Sequence, residues 1–69
     1  MSMTSTTFYG KNYTVTAVGS VTDGEFDGVV SIVYIEGDKT TDITDFVYEH
    51  LPMDFINKLE QTLIDNIEN

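Results

Sequence analysis

The chain has 69 residues, enough for one small domain and too few for a second hydrophobic core. It contains no cysteine and a single histidine, which excludes disulfides and argues against a thiolate or imidazole metal site. Three lysines against twelve Asp and Glu residues give a formal net charge of −9, with no arginine. That balance excludes direct nucleic-acid binding through cationic side chains and attachment to anionic membranes.

The first seven residues are rich in serine and threonine, so the sequence predicts a flexible N-terminal tail over 1–7 and a single domain over 8–69. Residues 1–7 lack both the basic and the apolar region of a secretion signal. The longest apolar stretch, 29–35, is too short to span a bilayer. We therefore expect a cytoplasmic protein with no membrane partner.

Three β-strands are predicted from alternation and turn signals. Residues 13–21 alternate with the period of a half-buried strand. Residues 29–36 form the clearest strand, and 39–45 read as a third. Asp23–Gly24 and Gly37 mark the turns, and the short connections favour an antiparallel meander. Two points stay open. A turn or a short extra strand fits around 8–12, and 44–50 fits either the end of strand three or a helical turn.

The C-terminal segment changes to helical periodicity. From Pro52 onward, apolar residues fall in one stripe: Phe55, Ile56, Leu59, Leu63 and Ile67. Pro52 suits a helix start. The predicted fold is α+β, a three-stranded antiparallel β-meander packed on one C-terminal α-helix.

The second predicted strand is apolar on both faces, which a single helix cannot cover. Val30, Ile32 and Tyr34 are expected on one face. Val29, Val33 and Ile35 are expected on the other, as a candidate apolar interface for a second copy or another protein. The alternative is that the N-terminal segment folds over the uncovered face.

The residues typical of catalytic and cofactor sites are scarce. His50 is the one side chain suited to acid-base work near neutral pH, and packing beside the helix start is the simpler interpretation. Residues 23–28 carry carboxylates at alternate positions, as calcium loops do. However, Tyr34 stands where such a loop requires a glutamate. We expect no enzyme activity, no cofactor and no metal.

Acidic residues cluster at the turns and at the helix end. Asp23, Glu25 and Asp27 alternate, and in an extended chain they would form a row spaced by about 6.6 Å. The candidate partner-binding carboxylates are completed by Glu36, Asp38, Asp42, Asp65 and Glu68. The last two lie where the helix dipole prefers cations.

Small size, strong acidity and a compact strand-plus-helix pattern together resemble, in general character, the short acidic phage proteins that block host nucleic-acid enzymes, anti-CRISPR proteins among them. The resemblance implies an inhibitor that binds a basic, nucleic-acid-binding enzyme or complex and mimics nucleic acid. The alternative is a homo-oligomeric structural or adaptor module, a homodimer at its simplest, in which acidity only maintains solubility.

Overall fold

A computed structural model describes residues 2–67 of the chain. Its elements are, in chain order, β1 (Ser2–Tyr9), β2 (Thr14–Thr22), β3 (Glu25–Glu36), β4 (Lys39–Asp42), α1 (Thr44–His50) and α2 (Met53–Asp65). The strands form one antiparallel sheet in the order β1-β2-β3-β4. The α+β class and the antiparallel sheet are confirmed. The described residues contain four strands and two helices rather than the predicted three strands and one helix. The added helix, α1, is the helical alternative that the sequence allowed over 44–50, and the added strand, β1, includes residues 8–9, where a short extra strand was one of two alternatives.

The N-terminal segment is the largest correction. Residues 2–7, predicted to be a flexible tail, belong to β1, which pairs with β2 from Ser2↔Val21 to Tyr9↔Thr14 without a shift in register. The buried Thr4 hydroxyl donates to the Leu63 carbonyl oxygen at 2.8 Å, which ties β1 to α2. β-Branched threonines suit a strand once a neighbouring strand and a helix give them something to pack on.

The third predicted strand, 39–45, is also corrected. β4 ends at Asp42, and α1 begins at Thr44. The Ile43 amide donates to the Ile32 carbonyl oxygen, and the Ile32 amide donates to the Thr44 hydroxyl oxygen, both at 2.8 Å. These bonds satisfy the backbone of β3 where β4 has ended, so the chain can leave the sheet at once.

The position of the C-terminal helix agrees with the prediction, but two members of the predicted apolar stripe do not, because Phe55 is 42% exposed and Ile67 follows the end of α2. Pro52 occupies the N-cap position in an extended conformation, and α2 runs from Met53 to Asp65. Ile56, Leu59 and Leu63 are buried on its inner face, which lies across β1, β2 and β3. Full burial of each such side chain stabilises the fold by about 1.5–3 kcal/mol. Within residues 2–67, neither helix has the length and apolar character needed to cross a bilayer.

The core lies between the sheet and the two helices. It joins the inner face of α2 to Ala17, Ile32 and Val47, all at most 2% exposed. The opposite face of the sheet, called here the open face, carries the alternate residues of β2 and β3. Val33 and Ile35 lie on the open face, because they pair with Thr16 and Thr14 while Ala17 points into the core.

Candidate protein-binding surface

The β2–β3 turn brings two of the predicted acidic residues together. Thr22 pairs with Glu25, which leaves Asp23 and Gly24 as a two-residue loop. Both loop residues have positive φ, 53° and 81°, as a type I′ turn requires. Asp23 is therefore at the tip of the hairpin and Glu25 opens β3, and both side chains are exposed.

Asp27 is placed differently from its predicted position in an even row. The register shifts between Ser20↔Gly28 and Val21↔Phe26, which makes Asp27 the extra residue of a β-bulge. Its carboxylate accepts a hydrogen bond from the Thr22 hydroxyl at 2.6 Å and a longer one from the Ser20 hydroxyl at 3.5 Å. The turn and the bulge thus break the regular 23, 25, 27 spacing, and Asp27 is held against β2.

Asp65 lies at the same end of the molecule. The Asn66 side-chain amide donates to the Ser5 carbonyl oxygen at 3.0 Å, so the end of α2 sits beside the first half of β1. A cleft of about 480 Å³ separates these elements from the β2–β3 turn, and its lining includes Ser2, Gly24 and Asn66.

We call this region the acidic end and define it by Asp23, Glu25, Asp27 and Asp65. Three of its members are sequence neighbours of residues that line the cleft, because Asp23 and Glu25 flank Gly24 and Asp65 precedes Asn66. Asp65 also accepts a hydrogen bond from Gln61 at 3.0 Å. Glu68, predicted to belong to the same surface, lies outside the described residues.

Glu36 and Asp38 are remote from the acidic end. Glu36 is the last residue of β3, and Asp38 is in the β3–β4 turn that follows it. This turn is at the far end of the 12-residue strand β3. At about 3.3 Å per residue the two ends are roughly 36 Å apart, which matches the longest dimension of the molecule, 35 Å. Screening acts over about 10 Å at 0.1 M salt. The expectation that these residues extend the same negative surface is therefore corrected, and the backbone of Glu36 is in register with Lys39 across the turn.

Asp42 has a structural role that its position in the sequence does not reveal. Its Oδ1 accepts hydrogen bonds from the Thr44 amide at 2.9 Å and the Thr44 hydroxyl at 2.7 Å. The backbone bond first, and the hydroxyl bond second, lower the pKa of Asp42 below its ordinary value. Asp42 thereby stabilises the junction between β4 and α1.

The predicted apolar interface loses one of its three members. A second register shift, between Val18↔Ser31 and Gly19↔Val29, makes Val30 an extra residue. Val29 consequently packs against the core, on the same side as Ile32, and not with Val33 and Ile35. Val30, predicted beside Ile32, is 53% exposed.

The open face is mixed rather than apolar. Val33 and Ile35 are half-buried, and threonines from the neighbouring strands lie beside them. The Thr7 and Thr16 hydroxyls are 3.2 Å apart and hydrogen-bonded on this face. Hydroxyl groups among the valines make it a weaker candidate for a purely hydrophobic interface than the sequence predicted.

His50 ends α1, exposed, with its ring 4.9 Å from that of Phe46. In the part of the chain that the structure describes, no group of three or more histidine, aspartate or glutamate side chains could hold a metal ion.

Sequence reasoning missed the eight-residue edge strand β1. The signal that could have found it was the run of threonines before Phe8 and Tyr9, because threonine and aromatic residues favour strands.

Scans of the chain against protein-family models, curated proteins and solved structures find no match.

Proposed function

We propose that this protein is an acidic inhibitor that binds a basic, nucleic-acid-processing enzyme or complex and competes there with nucleic acid, in the manner of phage anti-defence proteins such as anti-CRISPR proteins. The proposal assigns the contact to the acidic end. It assigns no catalytic role to the chain and requires neither cofactor nor metal.

The observation that carries the proposal is that two of the three lysines lie at the far end of the sheet from the acidic end. Asp23, Glu25 and Asp65 are sequence neighbours of residues that line one cleft. Lys11, in the β1–β2 connection, and Lys39, at the start of β4, lie at the opposite end of the sheet. Opposite charges across an interface speed association and select the partner. A basic groove that normally holds a nucleic-acid backbone would therefore receive the acidic end first.

The test compares two triple variants that remove the same number of charges. Asp23→Asn, Glu25→Gln and Asp65→Asn change the acidic end, and Asp27 is kept because it is hydrogen-bonded within the fold. The control changes Glu36→Gln, Asp38→Asn and Glu49→Gln, three exposed residues elsewhere. Exposed ion pairs contribute about 0.2–1 kcal/mol each, so the first variant should weaken binding by about 3-fold to 150-fold.

The assay is capture on the immobilised protein, with graded salt and duplex DNA as competitors, followed by inhibition of the captured enzyme. We expect to capture a nucleic-acid-binding enzyme that salt and DNA displace from the immobilised protein. We also expect the acidic-end variant to inhibit that enzyme less well than the control variant does. Equal inhibition by both variants would remove the acidic end as the contact. Indifference to DNA would end the competition model.

The homo-oligomeric alternative rests on the half-buried Val33 and Ile35 of the open face. It predicts self-association that persists at high salt, because apolar burial is not screened. Sedimentation at low and high salt separates the two functions. The hydroxyl groups on that face are the reason that we place the inhibitor first.

A further inference from the structure

The two edges of the sheet differ in how well they are protected against another strand. β4 has four residues, carries Lys39 and Asp42 at its ends, and leads directly into α1. β1 has eight residues without a charge or a proline, and it stays in register with β2 along its whole length. Natural sheets block their edges with short strands, charged residues, prolines or bulges. β4 uses the first two of these devices, and β1 uses none of the four.

The second half of β1 is the more accessible part. Thr4 is buried beneath α2, and the side-chain amide of Asn66 donates to the Ser5 carbonyl oxygen. The end of the helix therefore contacts the first half of β1. Thr7, Phe8 and Tyr9 are exposed, Tyr9 by 82%. In an antiparallel sheet, alternate residues of an edge strand direct both backbone polar groups away from the neighbouring strand. β1 therefore offers a regular row of hydrogen-bonding groups to an incoming strand.

We propose that β1 is a docking edge, to which the partner adds an extended, basic segment as a fifth strand. This proposal rests on the proposed function, because the charge of the partner comes from it. β1 begins at the acidic end, where Ser2 and Met3 line the cleft together with Gly24. A segment that pairs antiparallel with β1 places its C-terminal residues there. Lysine or arginine at the C-terminal end of the segment would lie at the same end of the molecule as Asp23, Glu25 and Asp65.

Charge also decides between a basic segment and a second copy of this chain. A second copy brings a further net charge of −9 against the same charge. A basic segment is attracted over the whole approach and then held by backbone hydrogen bonds that do not depend on its sequence. The edge supplies the alignment, and the acidic end supplies the preference for cations.

The probe for the test is a synthetic nine-residue peptide of alternating threonine and valine, with three lysines in its C-terminal half and a fluorescent label. Its matched control carries N-methyl groups on alternate backbone amides, which remove donors without changing charge. A third peptide replaces the lysines by threonine. Binding is measured by anisotropy, and hydrogen exchange of the β1 amides is followed by NMR.

We expect N-methylation to weaken binding by about 10-fold or more, because each lost backbone hydrogen bond has a several-fold effect. Exchange at Thr7 and Tyr9 should slow when the unmodified peptide is bound. A Thr7→Lys variant should weaken binding of the lysine peptide more than Thr40→Lys, which puts the same charge on the exposed β4 edge.

The outcomes separate this proposal from the function on which it rests. Equal binding of the methylated and unmodified lysine peptides would overturn strand addition and leave the acidic inhibitor standing. Equal binding of the lysine and threonine peptides would overturn the preference for a basic partner. Protection of the β1 amides without peptide, together with a dimer in sedimentation, would identify a second copy as the occupant and overturn the basic segment.

Discussion

The bond between Thr4 and α2 provides a direct test of the place of β1 in the fold. Thr4 is 5% exposed, and its hydroxyl donates to the Leu63 carbonyl oxygen at 2.8 Å. That carbonyl is in the last turn of α2, where helix carbonyls lack a partner within the helix. Thr4→Val keeps the shape of the side chain and removes the donor. A flexible tail over 1–7 would make the same substitution inconsequential.

The expected destabilisation by Thr4→Val follows from the hydrogen bond that the Leu63 carbonyl loses. An acceptor left buried without a partner costs about 1–3 kcal/mol. The backbone N–H of Asn66 also donates to the Leu63 oxygen, at 3.3 Å, so the carbonyl keeps a weaker partner after the substitution. The extra methyl of valine adds apolar burial in compensation. We therefore expect a loss near the lower limit, about 1 kcal/mol, which lowers Tm by about 4–8 °C in a domain of this size.

The assay is thermal unfolding followed by circular dichroism, repeated with urea at a fixed pH. Thr6→Val is the control, because Thr6 is half-buried two positions further along the same strand. Its effect should stay within about 0.5 kcal/mol. If Thr4→Val melts together with the wild type and the control, the buried bond does not hold β1 to the helix, and the assignment of residues 2–7 to the folded sheet loses its energetic basis.

Three further predictions follow from the packing and the titrating groups. Gly19→Ala places a Cβ against the Phe26 ring and should destabilise the fold by about 1–3 kcal/mol, measured by urea unfolding. Ile32→Lys should unfold the chain, whereas Val33→Lys, on the open face, should leave its circular dichroism unchanged. Partial burial and the hydrogen bond to Glu60 raise the pKa of Tyr48 to about 12, so ultraviolet titration should show a late ionisation step that Tyr48→Phe removes. The stability that this phenol contributes is present below pH about 10 and is lost as the pH rises from there through about 12.

The elements that sequence predicted well carry a local signal. α2 follows from the spacing of Ile56, Leu59 and Leu63, since a helical stripe is defined by residues of one segment. β2 follows from alternation over 13–21. The β2–β3 hairpin follows from Asp23–Gly24, because that pair readily adopts positive φ at both positions.

The elements that sequence missed depend on distant contacts. β1 is polar in composition, and it becomes a strand by pairing with β2 and by bonding to Leu63, which is 59 positions away. The bulge at Val30 reverses the face of Val29, because a single extra residue changes the alternation of a strand. The end of β4 depends on Ile32, whose backbone is satisfied by Ile43 and Thr44 instead of by a longer strand.

The sequence also predicted one acidic surface, but the structure divides these residues into some that are hydrogen-bonded within the fold and others that are exposed. Asp42 and Asp27 accept hydrogen bonds from neighbouring threonines, so part of their charge serves the fold. Asp23 and Glu25 are exposed at a turn whose geometry depends on backbone dihedrals. A charge that serves only solubility can lie anywhere on the surface. A charge that guides a partner must lie where the partner arrives, beside a surface that can hold it. Asp23 and Glu25 are at the end of the sheet where β1 begins, and Ser2, Met3 and Gly24 line one cleft there, which supports the proposed binding role for that end of the molecule.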